Sequence, residues 1–122
     1  MEKEESRIVK VISKIINDKN KITTVICAGM TDYWFLYENK KFLLKKNKWG
    51  IDLQLFNKGE YTLEELAELE PLQLDRMEPS AFSSADSENV PHRSVFEDLL
   101  NVIKYKNRDF DDDLSGILSG RK

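Results

Sequence analysis

From Ile22 to Phe56 the chain alternates short runs of β-branched and aromatic residues with links too short to hold a helix, and this limits the possible folds more than any other feature. The residue content predicts strands at about Ile22–Ala28, Tyr33–Glu38, Lys41–Lys46 and Ile51–Phe56. The links are Gly29-Met30-Thr31-Asp32, Asn39-Lys40 and Asn47-Lys48-Trp49-Gly50. A parallel neighbour needs a crossover of about a dozen residues or more, so these strands form an antiparallel meander.

A turn centred on Asn39-Lys40 sets Tyr37 opposite Phe42 and Phe35 opposite Leu44. A turn over Asn47–Gly50 sets Lys46 opposite Ile51, Leu44 opposite Leu53 and Phe42 opposite Leu55. Opposed residues share a face. One side of the sheet therefore gathers Phe35, Tyr37, Phe42, Leu44, Ile51, Leu53 and Leu55, the expected core. The other side is mixed, with Trp34, Leu36, Leu43 and Phe56 set among charges. The same register opposes Glu38 to Lys41, Leu36 to Leu43, Trp34 to Lys45, and Lys45 to Asp52. Four large apolar side chains on a second face need a cover. The Phe96–Ile103 stretch, the 71–92 segment, a partner or a second copy of the chain can each supply it.

Helical spacing of Ile8, Val9, Val11, Ile12, Ile15 and Ile16 predicts a first helix over about Glu4–Asp18, the natural cover for the core face. After the sheet, Thr62 and Glu65 form a capping-box pattern at the start of a short helix that must stop before Pro71. All three prolines and a Ser/Asp/Glu-rich stretch fall within 71–92, which reads as a mobile or draped loop. Ser94 and Glu97 repeat the capping pattern and open a helix with Phe96, Leu99, Leu100 and Ile103 on one stripe, running to about Asn107. Phe110, Leu114, Ile117 and Leu118 allow a last short helix capped by Asp109. The expected fold is α+β in a single domain over 1–122: an N-terminal helix, a four-stranded antiparallel meander, then two to three short C-terminal helices.

The lone cysteine, Cys27, rules out a disulfide framework and a multi-thiolate metal site. The lone histidine, His92, rules out a His-rich zinc site and leaves little for acid–base work at neutral pH. A Cys27–His92 dyad would require 71–92 to carry His92 to a thiol expected to be buried and inert within its strand. Asp109, Asp111 and Asp113 alternate as in a calcium loop, but an EF-hand needs Gly and Glu where Leu114 and Gly120 stand. The glycines are isolated turn or cap residues rather than a phosphate-binding loop. No cofactor motif is present. Charges interrupt the first apolar stretch, so no targeting or membrane-spanning segment is expected and the cytoplasm is the default location. Frequent Lys, Ile and Asn suit an AT-rich bacterial or phage coding sequence.

The net charge of −3 hides a strong segregation. Residues 1–59 hold 12 basic and 7 acidic groups, 60–92 hold 1 and 9, and 93–122 hold 6 and 6. Three readings follow. A non-catalytic protein-binding or regulatory module would use Glu64, Glu65 and Glu68 to steer a basic partner and Trp34, Leu36, Leu43 and Phe56 to anchor it. A nucleic-acid-binding domain would use Lys41, Lys45, Lys46, Lys48 and Trp49 of the hairpins. A small enzyme would need Cys27 or the glutamates. Against the first two, the acidic segment can simply neutralise the basic sheet. The first reading is preferred because the chain lacks a staffed active site; no motif ties it to a known family.

Overall fold

The computed structural model describes residues 6–29, 31–57, 60–86 and 88–118, with side chains as far as 107. Helix α1 (Arg7–Asn17) precedes strands β1 (Ile22–Ala28), β2 (Asp32–Tyr37), β3 (Lys40–Asn47) and β4 (Gly50–Phe56). Helices α2 (Leu63–Glu68) and α3 (Pro71–Arg76), strand β5 (Ser80–Ser83) and helix α4 (Arg93–Leu118) complete the order. The architecture is α+β, and the antiparallel sheet has five strands rather than the expected four, in the order β1-β2-β3-β4-β5.

The added strand lies inside 71–92, which is no structureless loop: it forms α3, β5 and a 3-10 turn at Val90–His92. β5 pairs with β4 from Asp52↔Ser83 to Leu55↔Ser80. Ser84 extends the join, because its buried hydroxyl accepts the Ile51 N–H at 2.9 Å and its own N–H donates to the Ile51 carbonyl at 2.9 Å. Gly50 sits against this clamp at φ 154°, and a Cβ there would collide with Ser84 Oγ.

The β3–β4 register is the expected one, from Lys46↔Ile51 to Phe42↔Leu55. The β2–β3 register is not: Phe35 faces Phe42 and Tyr37 faces Lys40, a shift of two residues. The turn is Glu38-Asn39, with φ of 48° and 66°. Two consecutive positive φ values make the tight hairpin turn whose twist matches the strands. Trp34 consequently faces Leu43 and Leu36 faces Lys41, and Glu38 leaves the ladder to pair with Lys21 at 2.9 Å. A shift of two preserves the face of every side chain, so the expected core survives.

That core joins both long helices to one side of the sheet. Ile8, Val9, Ile12 and Ile15 of α1 and Phe96, Leu99, Leu100 and Ile103 of α4 bury against Phe35, Phe42, Leu44 and Leu53. The Phe35 and Phe42 rings stack at 5.1 Å. Ser6, not foreseen as a cap, starts α1 by accepting the Val9 N–H and donating to Asn89, which fastens the helix to the segment before α4. Tyr37 donates to Asp18 Oδ2 at 3.1 Å and ties the end of α1 to β2. Burial first, and that bond second, push its phenol pKa up.

α4 also departs from expectation. It grows out of the 3-10 turn, so Ser94 lies inside the helix rather than capping it. It continues unbroken to Leu118, with Asp109 in its interior instead of at the start of a separate helix. Asn107 and Asp109 disfavour a helix only weakly, Arg108 between them favours one, and no Gly or Pro falls within α4 before Gly116 to end the run. The side chains of Asp109, Asp111 and Asp113 lie outside the described residues; their backbone is helical, which removes the loop a calcium site of that type requires.

Candidate functional site

The second face of the sheet is closed by the chain itself. Leu63 and Leu66 of α2 bury on Trp34, Leu43 and Phe56, with Leu36, Leu69, Leu74 and Met77 packed around them. Trp34 is 2% exposed and its ring lies 5.2 Å from that of Phe56. The expected anchors Trp34, Leu43 and Phe56 are therefore removed from the surface, and Leu36 is half-buried beside them. The cover is α2 with the start of 71–92, not the Phe96–Ile103 stretch, which packs on the opposite face.

α2 can do this in under two turns because its N-terminus is tied by a reciprocal capping box and the Leu69 N–H closes its other end on the Leu66 carbonyl. Thr62 Oγ1 accepts the Glu65 N–H at 3.2 Å, and Glu65 Oε1 accepts the Thr62 N–H at 2.9 Å. The Thr62 backbone amide, and then its hydroxyl, hold the Glu65 carboxyl below its ordinary pKa, with Lys41 adding a smaller effect. With Leu63 and Leu66 turned inward, Glu64, Glu65 and Glu68 face solvent. Every charged residue from Glu60 to Asp75 is an exposed carboxylate: Glu60, Glu64, Glu65, Glu68, Glu70 and Asp75. Tyr61 and Leu72 are exposed within this stretch, Leu72 to 63%.

The basic residues divide into two groups. Lys41 donates to the Tyr61 carbonyl and so lies beside the acidic layer. Lys45 stands in register between Asp32 and Asp52. Both therefore have polar neighbours within the fold. Lys46, Lys48 and Trp49 are different. They form the exposed tip of the β3–β4 hairpin, where Asn47 Oδ1 accepts the N–H groups of Trp49 and Gly50 and fixes the turn. Trp49 is 71% exposed, with Lys48 Nζ 4.8 Å from its ring centroid. The tip meets α4 across a groove of about 420 Å³, whose far wall carries Arg93, Glu97, Asn101 and Lys104. Sequence reasoning missed these four. Their spacing of four, four and three residues places them on one helix face, but only tertiary packing shows that the hairpin lies opposite.

The remaining candidates are not brought together. Cys27 is exposed on edge strand β1, contrary to the expected buried thiol, and donates to the Gly29 carbonyl at 3.1 Å. Its strand neighbour is Tyr33, whose phenol pKa is raised by desolvation first and by Cys27 second. His92 belongs to the turn that follows the opposite edge strand, and its Nε2 is buried without a hydrogen-bond partner. Among the described residues no group of three His, Cys, Asp or Glu side chains is placed to hold a metal ion, and no helix is long and apolar enough to cross a membrane. No protein-family model, no curated protein and no solved structure matches the chain.

Proposed function

We propose that the protein is a non-catalytic binding module whose α2–α3 layer docks a basic protein partner. One observation carries this reading: the layer turns Leu63 and Leu66 inward and leaves an outward surface whose charges, apart from Arg76 at the end of α3, are carboxylates around exposed Tyr61 and Leu72. A clustered field of one sign raises the rate of encounter with an oppositely charged surface, and an exposed apolar side chain within it supplies the contact that persists. The anchors are then Leu72 and Tyr61, replacing the buried Trp34, Leu43 and Phe56.

The test is retention of protein from native lysate on the immobilised chain at low salt, followed by the same capture with a Glu64→Lys, Glu68→Lys variant and with Leu72→Asp. Charge reversal is expected to slow association and Leu72→Asp to speed release. If nothing is retained at low salt, or both variants retain the same protein as the parent chain, the proposal fails.

A further inference from the structure

The side of the molecule opposite the acidic layer carries grooves of different chemistry. Beside the groove at the hairpin tip runs another of about 470 Å³, lined by Lys19, Tyr105 and Lys106 among others. Asn101 lines both, so the two flank α4 and meet at that residue, with exposed Asp98 on the helix face between them. Each contains an exposed aromatic ring next to cations: Trp49 beside Lys48, and Tyr105, 67% exposed, beside Lys106. Glu97 is the one carboxylate in either lining among the described residues, against Lys46, Lys48, Arg93, Lys104, Lys19 and Lys106. Arg93 and Lys104 alone are separated by roughly 16 Å of helix at the usual rise, a track rather than a single-anion pocket.

The geometry points to single-stranded nucleic acid as the occupant of this track. Every base has a π-face, so rings spaced along a cationic groove hold a strand with little regard to sequence. Trp49 and Tyr105 are the stacking platforms, and the lysines and Arg93 neutralise the phosphates. Glu97 and Asn101 add acceptors and an amide that face base edges, which favours bases with exocyclic amino groups over thymine. A duplex presents its bases already stacked and cannot use the rings.

Fluorescence anisotropy of a labelled single strand of about 12 nucleotides tests this, run beside the matching duplex and heparin as a polyanion without bases. The single strand is expected to bind, with log K falling by about 0.7 for each phosphate neutralised per unit of log salt. Trp49→Ala and Tyr105→Ala, both at exposed positions, are expected to weaken it about tenfold or more each without lowering the melting temperature. Glu97→Gln is expected to narrow the margin of oligo-dC over oligo-dT. Absence of binding at low salt overturns the assignment. So does equal affinity for strand, duplex and heparin, or affinity that survives loss of both rings. The Glu64→Lys, Glu68→Lys variant is expected to bind the strand no more weakly, so failure here and failure of the protein-docking reading are distinguishable.

Discussion

The two helical layers that sandwich the sheet differ in what they bury and in what they show. α1 and α4 each sink four large apolar residues into the main core, whereas α2 contributes Leu63 and Leu66 and α3 buries no residue completely. Outward, the thin layer is acidic, and the thick layer opens onto the grooves with Trp49 and Tyr105. Stability and surface chemistry are thus allotted separately. The thick layer specifies the fold, and the thin one shields Trp34 while carrying charge that the core never feels.

This contrast can be broken by mutation. Phe35→Ala, at the centre of the thick side, is expected to cost about 3–5 kcal/mol in urea unfolding. Leu66→Ala on the thin side is expected to cost about 2 kcal/mol, because a short lid relaxes into the space more readily. Equal costs would mean that the short lid relaxes no further than the main core. Hydrogen exchange sharpens the point: amides of α2 are expected to exchange by local opening while those of α4 wait for global unfolding. Gly50→Ala is expected to cost about 1–3 kcal/mol through its backbone angle, besides forcing Ser84 from the Ile51 amide. A cost near zero would show that the clamp yields freely.

Smaller effects belong to the thin layer. Thr62→Ala is expected to cost about 1 kcal/mol, the usual value of a lost N-cap. The pH dependence has a definite sign. The folded pKa of Glu65 is depressed, so its contribution is complete at neutral pH and fades as the pH falls below the ordinary value of 4.5 towards the folded one. Glu38, lowered by Lys21, acts in the same direction. Thermal melting from neutral to acid pH is expected to fall less steeply in Glu65→Gln than in the parent chain. Parallel curves would exclude the capping carboxylate as a contributor.

Much of the sheet was legible because alternation is a local signal. Leu44 opposite Leu53 followed from the pattern and a short turn, and the core face survived an error in the neighbouring hairpin. That error arose because Glu38 and Asn39 both take positive φ, which Glu seldom does and which no side-chain pattern announces. β5 was illegible for a different reason: Ser80-Ala81-Phe82-Ser83 has one large apolar residue and becomes a strand only through β4. The capping box of α2 could be read directly, but the cover it provides for Trp34 depends on where the helix lands. For the same reason, Lys46, Lys48 and Trp49 could be singled out, while Arg93, Glu97, Asn101 and Lys104 stayed hidden until the hairpin and α4 were set side by side.

The brevity of β5 has a consequence for how copies of the protein behave towards one another at high concentration. A meander ending at β4 would offer a seven-residue template, with Ile51, Leu53 and Leu55, to any extended chain. As folded, that edge is capped by four residues with serine at each end, a poor seed for intermolecular β-pairing. The far edge, β1, is interrupted where its register shifts between Ile22 and Thr24, another device that discourages strand addition. A sheet this rich in aromatics is thereby edged by features that disfavour strand addition: a short polar selvage on one side and an irregular one on the other.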